Sequence, residues 1–457
     1  MKKKLILLAV LSVVMAIFFV ACGGTGGGGT ATAGGGAAPA AGGNQAAATT
    51  NDNDAAEVIE ISFWHTWGAG TGLDALEVIV AKYNEINDRN IRVTSDFVAH
   101  RATGNTQTMD QLMAAIASGD PPNIALLDNF QVPTWAAQDA LIGLRGMMSD
   151  RGESLDHIYD FLREGSYFRG DYFSIPFNTD VRALFYNRDL FAAAGITSPP
   201  RTIAELGAAA HALTTMDGNR FEQVGFIPWQ NAGRPLYTWG WSFGGEFWDS
   251  ENNVMTLDDP QIIAAAEWIV EFARGFGITN FVEMSLGFGA GAEDPFVSEF
   301  LAMAVRGNFD IGNLAQFAPD LNYGIAPIPS LVEGENITWA GGWAFVIPRG
   351  ASHQEDSLDF MMFAMSEEAQ IMNLELHTTL AVHDSVNMMF YADDPLYETF
   401  LSLLPYARIR PPIPIGQMVW DGLIRVLENS IHEMGEPADL LRALNQEMNE
   451  ELRRFDQ

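Results

Sequence analysis

Ile59, Ile61 and Phe63 alternate with Glu60 and Ser62, a period of two that predicts a half-buried strand. Leu73, Leu76, Val80 and Tyr83 then fall at helical spacing, and a second alternation follows at Ile91, Val93 and Phe97. Thr106 to Ser118 reads as a helix. The turn Gly119-Asp120-Pro121-Pro122 leads into Ile124-Ala125-Leu126-Leu127, a continuous apolar run of the kind buried on both faces of a parallel sheet. The order is β-α-β-α-β.

The alternation continues with a strand at Ala183-Leu184-Phe185-Tyr186. Thr202-Ile203-Ala204-Glu205 is a capping box that opens a helix through Leu213. Asp259-Pro260 starts another, carrying Ile263, Ala266, Ile269 and Val270. Strand-like runs recur at Met303 to Val305, Tyr323 to Ala326 and Trp343 to Ile347. From about Glu355 the chain is almost wholly helical, apart from the proline-rich break Arg410-Pro411-Pro412-Ile413-Pro414. The fold class is α/β, with open parallel-type sheets as the default. In such sheets ligands sit beyond the carboxyl ends of strands, where loops supply polar groups on a rigid base. That singles out His65-Thr66-Trp67, Asp128-Asn129-Phe130-Gln131, Asn178-Thr179-Asp180 and Asp310.

The amino-terminal end has a different pattern. Met1-Lys2-Lys3-Lys4 runs into the uncharged apolar stretch Leu5 to Val20, which reads as a secretory signal and is short for a membrane span. The single cysteine of the chain, Cys22, follows directly after Ala21. One cysteine excludes a disulfide framework. Phe19-Val20-Ala21-Cys22 is similar to a bacterial lipobox, with Phe19 where Leu is usual, so Cys22 is expected to be acylated. From 23 to 57 the chain is mostly Gly, Ala, Thr and Asn with no apolar periodicity, and it reads as a tether.

The remaining residues, at 48% hydrophobic over the whole chain, suffice for more than one core. Two lobes are expected. Without the three signal lysines, 22 basic face 58 acidic side chains, a net charge of −36. Such a surface repels nucleic acid and anionic lipid.

Eleven tryptophans are many for this length, and the densest groups are glycine-flanked: Trp239-Gly240-Trp241-Ser242-Phe243-Gly244-Gly245 and Gly341-Gly342-Trp343. An indole there suits stacking on the apolar face of a sugar ring while neighbouring Asn, Asp and Gln bond its hydroxyls; the alternative is core packing where glycine allows close approach. Asp128 and Asp180 are candidates by their places near strand ends, with surface charges or helix caps as the other reading.

Gly240-Trp241-Ser242-Phe243-Gly244 fits the G-x-S-x-G pattern of a serine hydrolase but lacks the preceding apolar strand. His432-Glu433 lacks the second histidine of a zinc-protease helix, and Asp249 to Asn253 lacks the glycine and distal glutamate of a calcium loop, so a hairpin turn explains it better. No metal, cofactor or catalytic residue is expected. An adhesion or structural lipoprotein would use the same tether without the polar strand ends and aromatic cluster.

At these residues the sequence resembles family 1 extracellular solute-binding proteins, the maltose-binding-protein-like components of carbohydrate importers. The resemblance rests on Ile61-Ser62-Phe63-Trp64, Tyr83-Asn84, Pro122-Asn123-Ile124-Ala125-Leu126, Trp135-Ala136-Ala137-Gln138, Pro176-Phe177-Asn178-Thr179-Asp180 and Leu184 to Phe191. It continues through Tyr237 to Glu246, Tyr323 to Pro329 and Gly341 to Val346. It implies a two-lobe periplasmic-binding-protein-like fold with discontinuous lobes, 58–175 with about 306–350 and 176–305 with about 351–457. Hinge crossings would fall near Ser174 to Asn178 and Arg306 to Ile311.

By position, the resemblance implies sugar contact at Asp180, aromatic platforms at Trp239 and Trp420, a polar contact at Asn129 to Gln131 and a first binding loop at His65 to Trp67. It further implies a monomer, lipid-anchored on the outer face of the cytoplasmic membrane, that delivers a carbohydrate to ABC transporter permease subunits. In relatives that bind glycerol phosphates a late arginine grips the anion, which makes a polyol phosphate the second reading and Arg410 its candidate residue. The loops singled out offer Asp128, Asp180 and Asp310 and no second strong cation. Arg410 is therefore expected to bond neutral hydroxyls or to pair with a cleft carboxylate.

Overall fold

In the computed structural model, residues 58–455 are described apart from 100, 104–105, 109, 219, 232–235, 278–283 and 285–286. The signal stretch, Cys22 and the tether lie outside the described residues. The predicted alternations form strands β1 (Ile59–His65) and β2 (Ile91–Phe97), joined by helix α1 (Thr71–Ile86). After helix α2 (Asp110–Ser118) comes β3 (Ile124–Asp128), followed by β4 (Ile175–Pro176) and β5 (Arg182–Asn187). Helices α3 (Ile203–Ala212), α4 (Tyr237–Ser242) and α5 (Pro260–Phe276) lead to β6 (Met303–Gly307), α6 (Asp310–Phe317), β7 (Tyr323–Ala326) and β8 (Trp343–Val346). Helices α7 (Gln354–Met365), α8 (Glu367–Leu376), α9 (Gly416–Ile431) and α10 (Pro437–Arg454) complete the elements used below.

Local chemistry explains several boundaries. Thr202 and Glu205 form the predicted capping box of α3, and the Asp259 carboxylate accepts from the Gln261 N–H at 2.8 Å to start α5. Residues 249–254 turn between two short antiparallel strands, as the hairpin reading expects. The helix expected over Thr106 to Ser118 begins only at Asp110. Residues 106–108 pair antiparallel with 101–103 instead, and the β-branched Thr103, Thr106 and Thr108 favour that pairing.

Two sheets organise the chain. The first runs β2-β1-β3-β8-β4, with β1 parallel to β2 and β3 and with β8 antiparallel to β3 and β4. The alternating sides of β3 feed two cores: Ile124 and Leu126 join the main one, and Ala125 and Leu127 a second with Leu112, Trp135 and Val346. The second sheet is β6-β5-β7 and wholly antiparallel, which corrects the parallel default. An apolar run marks a buried strand but carries no information on the direction of its partner.

The pairings also move the lobe boundaries. Residues 303–326 belong to the second sheet, since Gly307 pairs with Arg182 and Tyr323 with Asn187. Helices α7 and α8 pack on α1, β1 and β4 of the first sheet. The chain passes between the sheets at 177–181, at the end of the expected stretch, and at 327–342 instead of 306–311. Another passage starts near 377. These passages lie side by side: Thr179 and Leu380 exchange backbone hydrogen bonds at 3.0 and 3.1 Å, and Asp180 and Gly341 at 3.3 and 3.1 Å. Among the described residues, no helix is long and apolar enough to cross a membrane.

Candidate functional site

Strand pairing decides what meets at the gap between the sheets. In the first, Trp343 at the start of β8 is in register with Asp128 at the end of β3. In the second, Arg182 at the start of β5 is in register with Gly307 at the end of β6, which puts Arg306, Phe309 and Asp310 beside it. These residues, with Asp180, Trp339, Gly342, Arg410 and Trp420, line a cavity of about 460 Å³. Gly342 is required there: its φ is +138°, and an added Cβ would lie 2.3 Å from the carbonyl oxygen of Asn178.

The polar wall repeats one unit three times, a guanidinium bound to carboxylate and set over an aromatic ring. Arg182 pairs with Asp180 and lies 3.7 Å from the centre of a Trp339 ring. Arg410 donates to Asp128 at 3.1 Å and lies 3.9 Å over Phe130, with Trp420 5.1 Å away. Arg306 donates to Asp294 at 3.0 Å and to Asp310 at 3.1 Å, 5.5 Å from Phe296. Burial pushes the Asp128 carboxyl above its ordinary range, against the pull of Arg410 and the Phe130 N–H. Burial likewise lowers Arg182. Arg306 stays above the usual arginine value, because Asp310 and Asp294 outweigh its desolvation.

Four side-chain donors lining the cavity have no hydrogen-bond partner among the described residues: the indole N–H of Trp420, the Nε–H of Arg182 and of Arg410, and the Asn231 amide. Buried N–H groups are nearly always paired, and these are themselves enclosed by protein beside the cavity. The wall thus combines indole rings, fixed carboxylates and unpaired N–H donors, a set suited to hydroxylated rings.

Of the residues singled out from sequence, Asp128, Asp180, Asp310, Gly342, Trp343, Arg410 and Trp420 meet at the cavity. Others stand behind it. Asn178 Oδ1 accepts from the Trp343 N–H at 2.9 Å, and Trp67 meets Trp343 edge-on at 5.6 Å. His65 and Thr66 are buried at the end of β1, where burial lowers the His65 pKa. Asn129 and Gln131 sit on the short turn after Asp128, Gln131 buried.

Trp239 and Trp241 do not reach the cavity, which corrects the aromatic-platform expectation for both. They lie on α4, a helical turn whose every residue is buried. Trp239 is fully buried and donates to the Pro228 carbonyl at 2.7 Å. Trp241 packs on Tyr237 and Phe247 and borders a separate cavity of about 840 Å³ that shares no lining residue with the first. Ser242 is buried at the end of the same turn, not on a strand-to-helix elbow.

Arg410 pairs with a cleft carboxylate, as expected. The reading that no second cation is present is overturned by Arg182 and Arg306. Both lie at strand ends close in sequence to Asp180 and Asp310, so the signal that found the carboxylates also marked them. Trp339 lies in the glycine-flanked stretch before Trp343, whereas Asp294, Asn231, Phe309 and Asn313 carry no sequence signal.

Residues 67–371 match the model of the family described as bacterial extracellular solute-binding protein. A putative binding protein of Brucella abortus is 22% identical over 342 residues, 73% of this chain and 80% of that protein. A maltooligosaccharide ABC transporter solute-binding lipoprotein of Streptococcus pneumoniae is 23% identical over 340 residues, 71% and 74% of the two chains. Among solved structures, CpMnBP1 with mannobiose bound superposes with a TM-score of 0.75 at 25% identity, covering 86% of this chain and all of that one.

Proposed function

Because this chain belongs to the bacterial extracellular solute-binding protein family, we propose that it captures a neutral carbohydrate in the cavity between its two sheets and delivers it to the permease of an ABC importer. The observation that carries this reading is the gathering of Trp339, Trp343 and Trp420 at one cavity with three guanidinium–carboxylate units, two of which, those of Arg182 and Arg410, keep an unpaired Nε–H. Flat indoles take the C–H face of a sugar, and fixed charged groups take its hydroxyls. The mannobiose of one structural relative and the maltooligosaccharide named for another bacterial relative support a ligand of this class.

Three features complete the proposal. The adjacent passages at 177–181, 340–342 and 379–381 act as a hinge, so ligand contacts gathered on both walls draw the lobes together. Cys22 carries the lipid, and the tether lets the body reach the permease from the outer face of the cytoplasmic membrane. The protein works as a monomer without cofactor.

Titration calorimetry and thermal shift against a saccharide panel that includes mannobiose test the reading. A neutral saccharide should raise the melting temperature and bind with nearly salt-independent affinity, and the radius of gyration should fall at saturation. A panel with no binder, or a binder that leaves the dimensions unchanged, would count against it. Replacement of Cys22 with Ala should release the protein from membranes; continued membrane retention would remove the lipid anchor from the proposal.

A further inference from the structure

Among the three guanidinia of the cavity, Arg306 alone is held by two carboxylates. Its Nη1–H reaches both oxygens of Asp294, at 3.0 and 3.2 Å, and its Nε–H reaches Asp310 at 3.1 Å. Both acids are themselves fixed. Asp294 Oδ1 accepts from the backbone N–H groups of Phe296 and Val297, and Asp310 Oδ1 accepts from the Asn313 amide at 3.0 Å. Neither can swing aside for an incoming anion without losing these bonds. Arg182 and Arg410 are each matched by one acid, so the cavity holds four carboxylates against three guanidinia and its surplus negative charge sits at Arg306.

We infer that Asp294 and Asp310 are specificity-determining residues that withhold Arg306 from phosphorylated ligands and so restrict the site to uncharged ones. This rests on the cavity being the ligand site proposed above. A guanidinium fork with free donors grips phosphate bidentately. Here two of the three nitrogens of the fork, Nε and Nη1, are already bonded to carboxylate, and a phosphate would meet the excess charge in a partly desolvated pocket where screening is weak. Replacing either acid by asparagine keeps the acceptor that fixes its loop and removes the charge, which frees the arginine while preserving the local hydrogen bonds.

The experiment measures glycerol 3-phosphate and inorganic phosphate binding by calorimetry on the full folded protein, as wild type, as Asp310→Asn and as Asp294→Asn/Asp310→Asn, with melting temperatures alongside. The wild type should show no binding at millimolar ligand. The variants should bind glycerol 3-phosphate at least tenfold more tightly, with an affinity that falls as salt rises and is lost when Arg306→Gln is added. Wild-type binding of glycerol 3-phosphate that the variants leave unchanged or weaken overturns the inference. So do variants that melt lower with no gain of anion binding, the behaviour of carboxylates that merely brace a loop. The saccharide panel separates the two readings. If the variants gain phosphate binding while no neutral saccharide binds the wild type, the carbohydrate assignment fails and the role of Asp294 and Asp310 stands.

Discussion

The segment from Tyr237 to Trp248 holds six aromatic residues in twelve positions, whereas the tryptophans of the cavity, at 339, 343 and 420, are spread over more than eighty. The dense group is core: Trp239 donates its indole N–H to the Pro228 carbonyl and packs edge-on against Phe226. Two of the scattered group keep close charged company. Trp339 lies under Arg182, and Trp420 faces Arg410 with its N–H unpartnered. What distinguishes Trp339 and Trp420 from Trp239, which belongs to the same core, is therefore the guanidinium on the ring, not the number of rings nearby.

The contrast can be broken by mutation. Trp239→Ala should have the largest effect, a loss of about 3–5 kcal/mol of stability in denaturant unfolding. Correctly folded Trp239→Ala should still bind ligand, and a selective loss of affinity would move Trp239 into the site. Gly342→Ala comes next. Its Cβ would strike the Asn178 backbone at a positive φ, so about 2–3 kcal/mol of stability should go, and ligand affinity should fall with it because Trp343 is adjacent. A neutral outcome would mean that the passage at 340–342 yields easily.

Trp420→Ala should weaken carbohydrate binding by roughly 1–3 kcal/mol in calorimetry, and it should also lower stability because Trp420 is buried in the main core. A variant that unfolds without losing affinity would return Trp420 to the core group.

The most gradual effect, spread over several pH units, concerns His377, which meets Trp67 edge-on at 5.3 Å behind Trp343. Burial lowers its pKa to about 4, against the weaker attraction of Asp180. The unfolded chain then binds more protons between about pH 4 and 6.5, so stability is full above 6.5 and declines as pH falls through that window, by at most about 1.4 kcal/mol per pH unit. His65 and His157, also lowered by burial, add slopes of the same sign. Melting curves of His377→Gln should be flatter over this window than those of the parent. An unchanged slope would place the effect elsewhere.

Elements with a local cause were legible in the sequence. The alternation of β1 and β2, the buried run of β3, the capping box at Thr202 and Glu205 and the Asp259 cap of α5 each depend on residues a few positions apart. Strand ends also located Asp128, Asp180 and Asp310 beside the cavity. The antiparallel second sheet, the course of the chain between the sheets and the burial of Trp239 were not legible, because each depends on segments distant in sequence. Asp128 and Arg410 are 282 residues apart, and Trp339 donates to Thr238 across 101.

By itself, the sequence determined most of the segments that form strands and helices, and the α/β class that their order implies, since side-chain period and caps act within one or two turns of chain. Tertiary structure alone decided which charges meet. A guanidinium finds its carboxylate, and an indole its carbonyl or its open cavity, only after sheet pairing has fixed strand direction and register.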